Sequence, residues 1–79
     1  MRRSIDDAAA PGFDDDPAVS WAVAISDDYD DATPRVVLTV EEVGDAGAGL
    51  VAHLDADLVR RLRGALRDAL AEVGEDPGR

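Results

Sequence analysis

The densest group of chemically active side chains is the run Asp27-Asp28-Tyr29-Asp30-Asp31. Clustered carboxylates are suitable ligands for Ca²⁺, but an EF-hand-type loop also needs alternating acids, Gly at its sixth position and Glu at its twelfth. Counted from Asp28, the sixth position is Thr33 and the twelfth is Thr39. The spacing does not fit such a loop, so we predict that the chain has no metal site.

A second candidate for chemistry is the pair His53 and Asp55, which would point to the same side of an extended segment. A carboxylate beside an imidazole can orient it as a general base. Catalysis also needs a nucleophile and a pocket that excludes water. Ser20 and Ser26 lie in no Gly-x-Ser-x-Gly motif, and a chain this small leaves little room for a pocket. We therefore predict no catalytic residues, no enzymatic activity, and a surface role for His53 beside a helix cap.

The glycine-rich segment Gly44–Gly49 does not have the pattern of a phosphate-binding loop. It lacks the Lys-Ser/Thr pair of a P-loop and the G-x-G-x-x-G spacing of a dinucleotide site. In addition, no helix starts directly after it, so it offers no helix N-terminus to a phosphate. We interpret the segment as a flexible turn and predict no cofactor.

The C-terminal part of the chain carries two stripes at helical spacing. The apolar stripe, at about 100° per residue, consists of Leu58, Leu62, Leu66, Ala69 and Val73. Arg60, Arg63 and Arg67 form a second stripe, which we expect on the opposite side of the helix. Three interpretations remain open: a solvated face, a site onto which the acidic segments of the chain fold back, or a surface for an acidic partner. Gly64 would let a partner backbone approach this side closely.

The charge of the chain is strongly negative and unevenly distributed. Of the formal net charge of −10, residues 1–34 contribute −7 and residues 35–79 contribute −3. Such a surface repels nucleic acids and anionic membranes, so we predict no direct binding to either. An acidic chain can instead imitate a nucleic acid and bind a basic protein. The candidate acidic surface consists of Asp14, Asp15, Asp16, Asp27, Asp28, Asp30 and Asp31.

Hydrophobic patterning predicts an α+β fold. Residues 1–17 are too polar to offset the entropy of ordering, which predicts a disordered acidic N-terminal tail. Residues 18–74 are predicted to form the domain: strands over 19–26, 35–43 and 50–54 in an antiparallel meander, then an amphipathic helix between Asp55 and Gly74 on one sheet face. Asp55 is the predicted N-cap, and Gly74 suits the C′ position. Residues 75–79 are predicted to be a disordered C-terminal end.

The two faces of the predicted sheet are both apolar. One face carries Trp21, Val23 and Ile25 together with apolar residues of the next two strands, and it should form the core against the helix. The reverse face is more apolar than a solvated face needs, and we predict that a second copy or another protein covers it. Its candidate partner-binding residues are Ala22, Ala24, Val37 and Val51.

These observations favour a small, non-catalytic accessory or regulatory protein that binds another protein. A domain of this size has a marginal core, and the absence of cysteine excludes disulfides as a supplement. We therefore expect a homo-oligomer or a subunit of a larger complex, located in the cytoplasm. The alternative is an acidic nucleic-acid-mimicking or antitoxin-like inhibitor of a basic protein, whose affinity would fall steeply with salt.

Overall fold

The computed structural model describes residues 1–45, 47 and 49–78 and shows an α+β fold. Ala46 and Ala48 of the predicted glycine-rich turn, and Arg79 of the predicted C-terminal end, lie outside the described residues. Four antiparallel strands are hydrogen-bonded in sequence order, and one helix follows them. The elements are β1 (Arg2–Ala10), β2 (Val19–Ser26), β3 (Arg35–Glu42), β4 (Leu50–Leu54) and α1 (Ala56–Glu72).

The central part of the sheet follows the alternation of the sequence. Strands β2 and β4 have the predicted bounds, and β3 ends one residue earlier than predicted. In the β2–β3–β4 register, Ala24 is opposite Val37 and Val37 is opposite His53. Because side chains alternate between the faces of a strand, these three residues share the reverse face. The antiparallel meander is therefore confirmed for these strands.

The N-terminal segment corrects the predicted fold, because the structure has a strand where we expected a disordered tail. Strand β1 pairs with β2 along Arg2–Ala10, with a β-bulge between Ser4 and Asp6. The segment carries few large apolar side chains. Its stability comes instead from backbone hydrogen bonds to β2, which the amino-acid composition does not reveal. Charged side chains and a bulge are common on edge strands, where they discourage pairing with other chains. The sheet thus has four strands rather than three.

Helix α1 has clear start and stop signals. The Asp55 carboxylate accepts a hydrogen bond from the Leu58 backbone N–H at 2.9 Å, as expected for an N-cap. At the other end, Gly74 adopts a left-handed φ of +77° and the Glu75 N–H donates to the Leu70 carbonyl at 2.9 Å. This arrangement is a Schellman motif, in which glycine avoids the steric penalty of positive φ. Both predicted caps are confirmed.

The helix lies against β3 and β4 and, among the described residues, does not reach β1 or β2. None of the residues Ala56–Glu72, all of which the structure describes, is buried. The chain exposes 6328 Å² of surface, whereas a compact monomer of 8.3 kDa exposes about 4,600 Å². Its radius of gyration is 14.5 Å, against about 12 Å for a compact chain of this length. The fold is therefore open, with the helix loosely attached.

The position of the best-buried residues corrects the predicted core. Among the described residues, the buried apolar side chains are Ala24 and Val37, and both lie on the reverse face. On the helix-side face, Trp21 and Val23 are half-buried and Val40 is exposed. The reason is the placement of α1, which covers only part of the helix-side face. None of the described helical residues belongs to a segment long and apolar enough to cross a membrane.

Candidate protein-binding surfaces

The apolar stripe of α1, hereafter the leucine stripe (Leu58, Leu62, Leu66, Ala69 and Val73), is exposed along its whole length. Leu66 is 60% exposed and Val73 is 70% exposed. We expected this stripe to pack on the sheet, but α1 is rotated so that Val59 and Leu70 also turn towards the sheet. The leucine stripe consequently lies at the edge of the helix–sheet contact and is largely exposed.

An apolar groove separates α1 from the sheet. We call this cavity of about 310 Å³, which is open to solvent, the helix–sheet groove. Strand residues Val36, Leu38 and Leu54 line one wall, and Leu62 and Leu66 contribute to the other. A well-packed interior has few voids larger than a water molecule. The groove therefore marks a place where α1 and the sheet do not bury each other's apolar surface.

The three stripe arginines do not all lie opposite the leucine stripe, which is where the sequence predicts them. The Arg60 guanidinium pairs with Asp57 at 2.8 Å, and the Arg67 Nε lies 3.4 Å from Asp68. Arg63 and Arg67 both line the helix–sheet groove. In the part of the chain that the structure describes, Arg63 has no carboxylate partner. Two of the three arginines thus border the apolar surface instead of lying opposite it.

Gly64 is half-buried beside this pair of arginines. A Cβ atom at this position would lie 3.8 Å from the Arg67 Nη2, which is ordinary van der Waals contact. Within the chain, therefore, nothing requires glycine here. Close approach of a partner at Gly64 stays a prediction.

The reverse face carries a polar group that the sequence did not reveal, hereafter the Tyr29 cluster (Tyr29, Asp31, Arg35 and His53). The Tyr29 hydroxyl and the His53 Nδ1 are hydrogen-bonded at 2.7 Å, and the two rings meet edge to face at 5.6 Å. The Arg35 guanidinium lies 4.5 Å from the centre of the Tyr29 ring, within the range of a cation–π contact. Arg35 also forms a bidentate ion pair with Asp31, in which the shorter contact is 2.7 Å.

The Tyr29 cluster lies over part of the reverse face, where we predict a partner-binding surface. Arg35 precedes Val37 by two residues on one face, and His53 is directly opposite Val37, so the Tyr29 ring that contacts both lies over this part of the sheet. Val37, which shares this face with Arg35 and His53, is only 2% exposed, and its neighbour Ala24 is also buried. These two residues offer no free surface to a partner in this conformation. Ala22 is half-buried and Val51 is exposed, and for them partner binding stays a prediction.

The candidate acidic surface divides into paired and unpaired carboxylates. Asp27 and Asp28 form ion pairs with the Met1 ammonium group, and Asp31 pairs with Arg35. The hydrogen bond that the Met1 ammonium donates holds the pKa of Asp27 below its usual value, and the bonds that Arg35 donates lower the pKa of Asp31 in the same way. The remaining acids are exposed and, among the described residues, have no cationic partner. They are Asp14, Asp15, Asp16 and Asp30.

The His53 ring is hydrogen-bonded to a tyrosine and not to a carboxylate. Asp55, which we considered as its partner, caps α1, and the His53 ring is bonded to Tyr29. Among the described residues, no three histidine or carboxylate side chains converge as ligands for a metal ion.

Comparison with protein-family models, with curated proteins and with solved structures gave no match. The chemistry of the two surfaces is therefore the basis for a functional proposal.

Proposed function

We propose that the chain is a small non-catalytic accessory protein that works by binding a protein through the leucine stripe and the adjoining helix–sheet groove. One observation carries this proposal. The 17-residue amphipathic helix α1 has no buried residue, although its leucines are spaced to pack on an apolar surface. A cytoplasmic location is part of the same proposal.

The energetics support binding at this surface. Most monomeric proteins avoid large contiguous apolar patches, and those that are present often mark interaction sites. Full burial of a leucine or valine side chain contributes about 2 kcal/mol. Leu58, Leu66 and Val73 are each about half exposed or more. A partner that covers them would gain much of this free energy, which the chain alone does not.

Arg63 and Arg67 give the surface a charge preference. Their long side chains border the apolar groove, so a partner that places a carboxylate beside an apolar side chain would satisfy both. An exposed ion pair contributes less than about 1 kcal/mol. The arginines would therefore select and orient the partner, and the apolar side chains would supply most of the affinity.

The alternative, an acidic inhibitor that mimics a nucleic acid, has one observation in its favour. Asp14, Asp15 and Asp16 form an exposed acidic turn after β1. The β2–β3 loop supports this alternative less, because Asp27, Asp28 and Asp31 are already paired within the chain. Paired carboxylates would have to release an internal cation before binding an external one.

Affinity purification with paired variants separates the two proposals. Leu62→Asp with Leu66→Asp should abolish recovery of a stoichiometric partner at low and at high salt, because it puts charge into the apolar surface. The matched variant, with Asp14, Asp15 and Asp16 changed to Asn, should recover that partner normally. If the leucine variant keeps the partner while the asparagine variant and high salt remove it, the acidic inhibitor is correct and our proposal is wrong.

A further inference from the structure

We infer that the occupant of the leucine stripe is a second copy of this chain, whose α1 pairs antiparallel with the first about a two-fold axis near Leu66. This inference rests on the proposed function, since it names the partner of the same surface. It follows from three observations: the spacing of the stripe, the charges beside it, and the area that the chain leaves exposed.

The leucine stripe is symmetric about its own middle. Leu58 and Val73 lie at equal distances on either side of the midpoint between positions 65 and 66, and so do Leu62 and Ala69. Leu66 lies almost at that midpoint. In an antiparallel pair, a residue before the axis faces the residue equally far after it in the other chain. Leu58 would therefore face the partner's Val73, and Leu66 would face the partner's Leu66.

Such self-matching is what a two-fold interface requires, because the same patch must fit itself. Leu62 would face the partner's Ala69, whose small side chain lets the two helices approach closely at this position. Mixed large and small residues across facing positions are typical of well-packed helix pairs.

The charges beside the stripe match in the same arrangement. At 100° per residue, Arg61 and Glu72 lie on one flank of α1, within about 20° of each other. They occupy opposite ends of the helix, so the antiparallel arrangement brings Arg61 next to the partner's Glu72, and the two-fold axis repeats the pair. Within the described residues, neither side chain has an ion-pair partner in its own chain. The Asp57 carboxylate that could have served Arg61 is bound to Arg60 instead.

The exposed area is large enough for such a pair. The chain exposes 6328 Å², which exceeds the surface of a compact monomer of its mass by about 1,700 Å². A standard interface covers about 800 Å² on each partner. A second copy could therefore cover a full interface within this excess.

Cysteine cross-linking of the full-length chain tests the arrangement, because the sequence has no cysteine of its own. After mild oxidation, Leu66→Cys should form a disulfide-linked dimer, and Val73→Cys alone should not. An equimolar mixture of Leu58→Cys and Val73→Cys should form a mixed dimer. Arg60→Cys, on the other side of α1, is the matched control. Linkage of Val73→Cys to itself would indicate parallel helices and would overturn the inference.

A charge exchange provides a second test that leaves the stripe and its fold intact. Arg61→Glu should weaken the dimer about tenfold in sedimentation equilibrium, because it places Glu opposite the partner's Glu72 twice. Adding Glu72→Arg should restore the dissociation constant to within about twofold of the original. Far-UV circular dichroism confirms that each variant is folded. Failure of the double exchange to restore the dimer would contradict the predicted pairing.

The two proposals fail in different ways. If the unmodified chain sediments as an 8.3 kDa monomer at every micromolar concentration and Leu66→Cys cross-links no faster than Arg60→Cys, the second copy is excluded. The leucine stripe would then still bind another protein if Leu62→Asp with Leu66→Asp loses its partner. If the unmodified chain dimerises, and Leu62→Asp with Leu66→Asp disrupts the dimer without changing which other proteins co-purify, the surface serves self-association alone.

Discussion

Both faces of the sheet are apolar in sequence, but they differ in how well they are buried. The helix-side face carries the larger apolar side chains, yet α1 covers it only in part and a groove of about 310 Å³ remains. The reverse face carries smaller side chains, yet Val37, beside the Tyr29 cluster, is only 2% exposed. Apolar content alone thus does not decide which face is buried.

The difference lies in how each cover is attached. The connection that carries Tyr29 is tied at both ends, since β2 and β3 hold it and contacts with Arg35 and His53 fix it over the sheet. Helix α1 is connected to β4 through Asp55 alone, and among the described residues no further strand follows α1. A short cover with two anchors orders itself more readily than a long one with a single anchor, because less conformational entropy is lost.

The strongest test of this comparison replaces one side chain on each face. Val37→Ala should lower the free energy of unfolding by about 2 kcal/mol, because it removes buried methyl groups and leaves a cavity. Leu50→Ala should change it by less than about 0.5 kcal/mol, since Leu50 is 80% exposed. Urea denaturation of both variants measures the effect. Equal losses would mean that the two faces are equally buried in solution.

The role of Tyr29 as a cover can be separated from its hydrogen bond. Tyr29→Ala should cost about 1.5 kcal/mol, because it uncovers Val37. Tyr29→Phe keeps the ring and removes only the bond to His53, which should cost about 0.5 kcal/mol at this exposed site. Thermal or urea unfolding compares the two. If both variants lose the same amount, the hydroxyl rather than the ring is responsible.

The single anchor of α1 is tested at its N-cap. Asp55→Ala should cost about 1 kcal/mol of helix stability, because the Leu58 N–H loses its acceptor. Since α1 contributes little to the burial of the sheet, the helical signal at 222 nm should fall at lower urea than the fluorescence of Trp21. Coincident loss of both signals would show that helix and sheet unfold as one unit.

Acidification should weaken the cover on the reverse face by a small amount. The bonds from Arg35 hold the pKa of Asp31 below its usual 3.8. Its stabilising effect is therefore present above that value and is lost as pH falls through the lowered pKa. The urea midpoint of the unmodified chain should consequently drop more between pH 7 and pH 3 than that of Asp31→Asn. An equal drop would show that the Asp31–Arg35 pair contributes nothing to folding.

Local patterns predicted the elements of the fold well. The alternation over 19–26 and 50–54 gave the bounds of β2 and β4, and the residue types at Asp55 and Gly74 predicted the caps of α1. Strand β1 was missed because its stability comes from backbone pairing with β2, which side-chain polarity does not report. The Tyr29 cluster was missed because it joins residues that only the strand register brings together. Its sole signal is an aromatic residue within an acidic loop that leads directly into a strand.

The caps of α1 have a consequence for specificity. Asp55 and Gly74 stop the helix at fixed residues, and the leucine stripe runs almost from one stop to the other. A neighbouring helix that slipped by one turn, about 5.4 Å, would leave Leu58 or Val73 hanging beyond its end. The two caps therefore fix the length of α1, so that only one alignment of a matching helix brings every residue of the leucine stripe into contact.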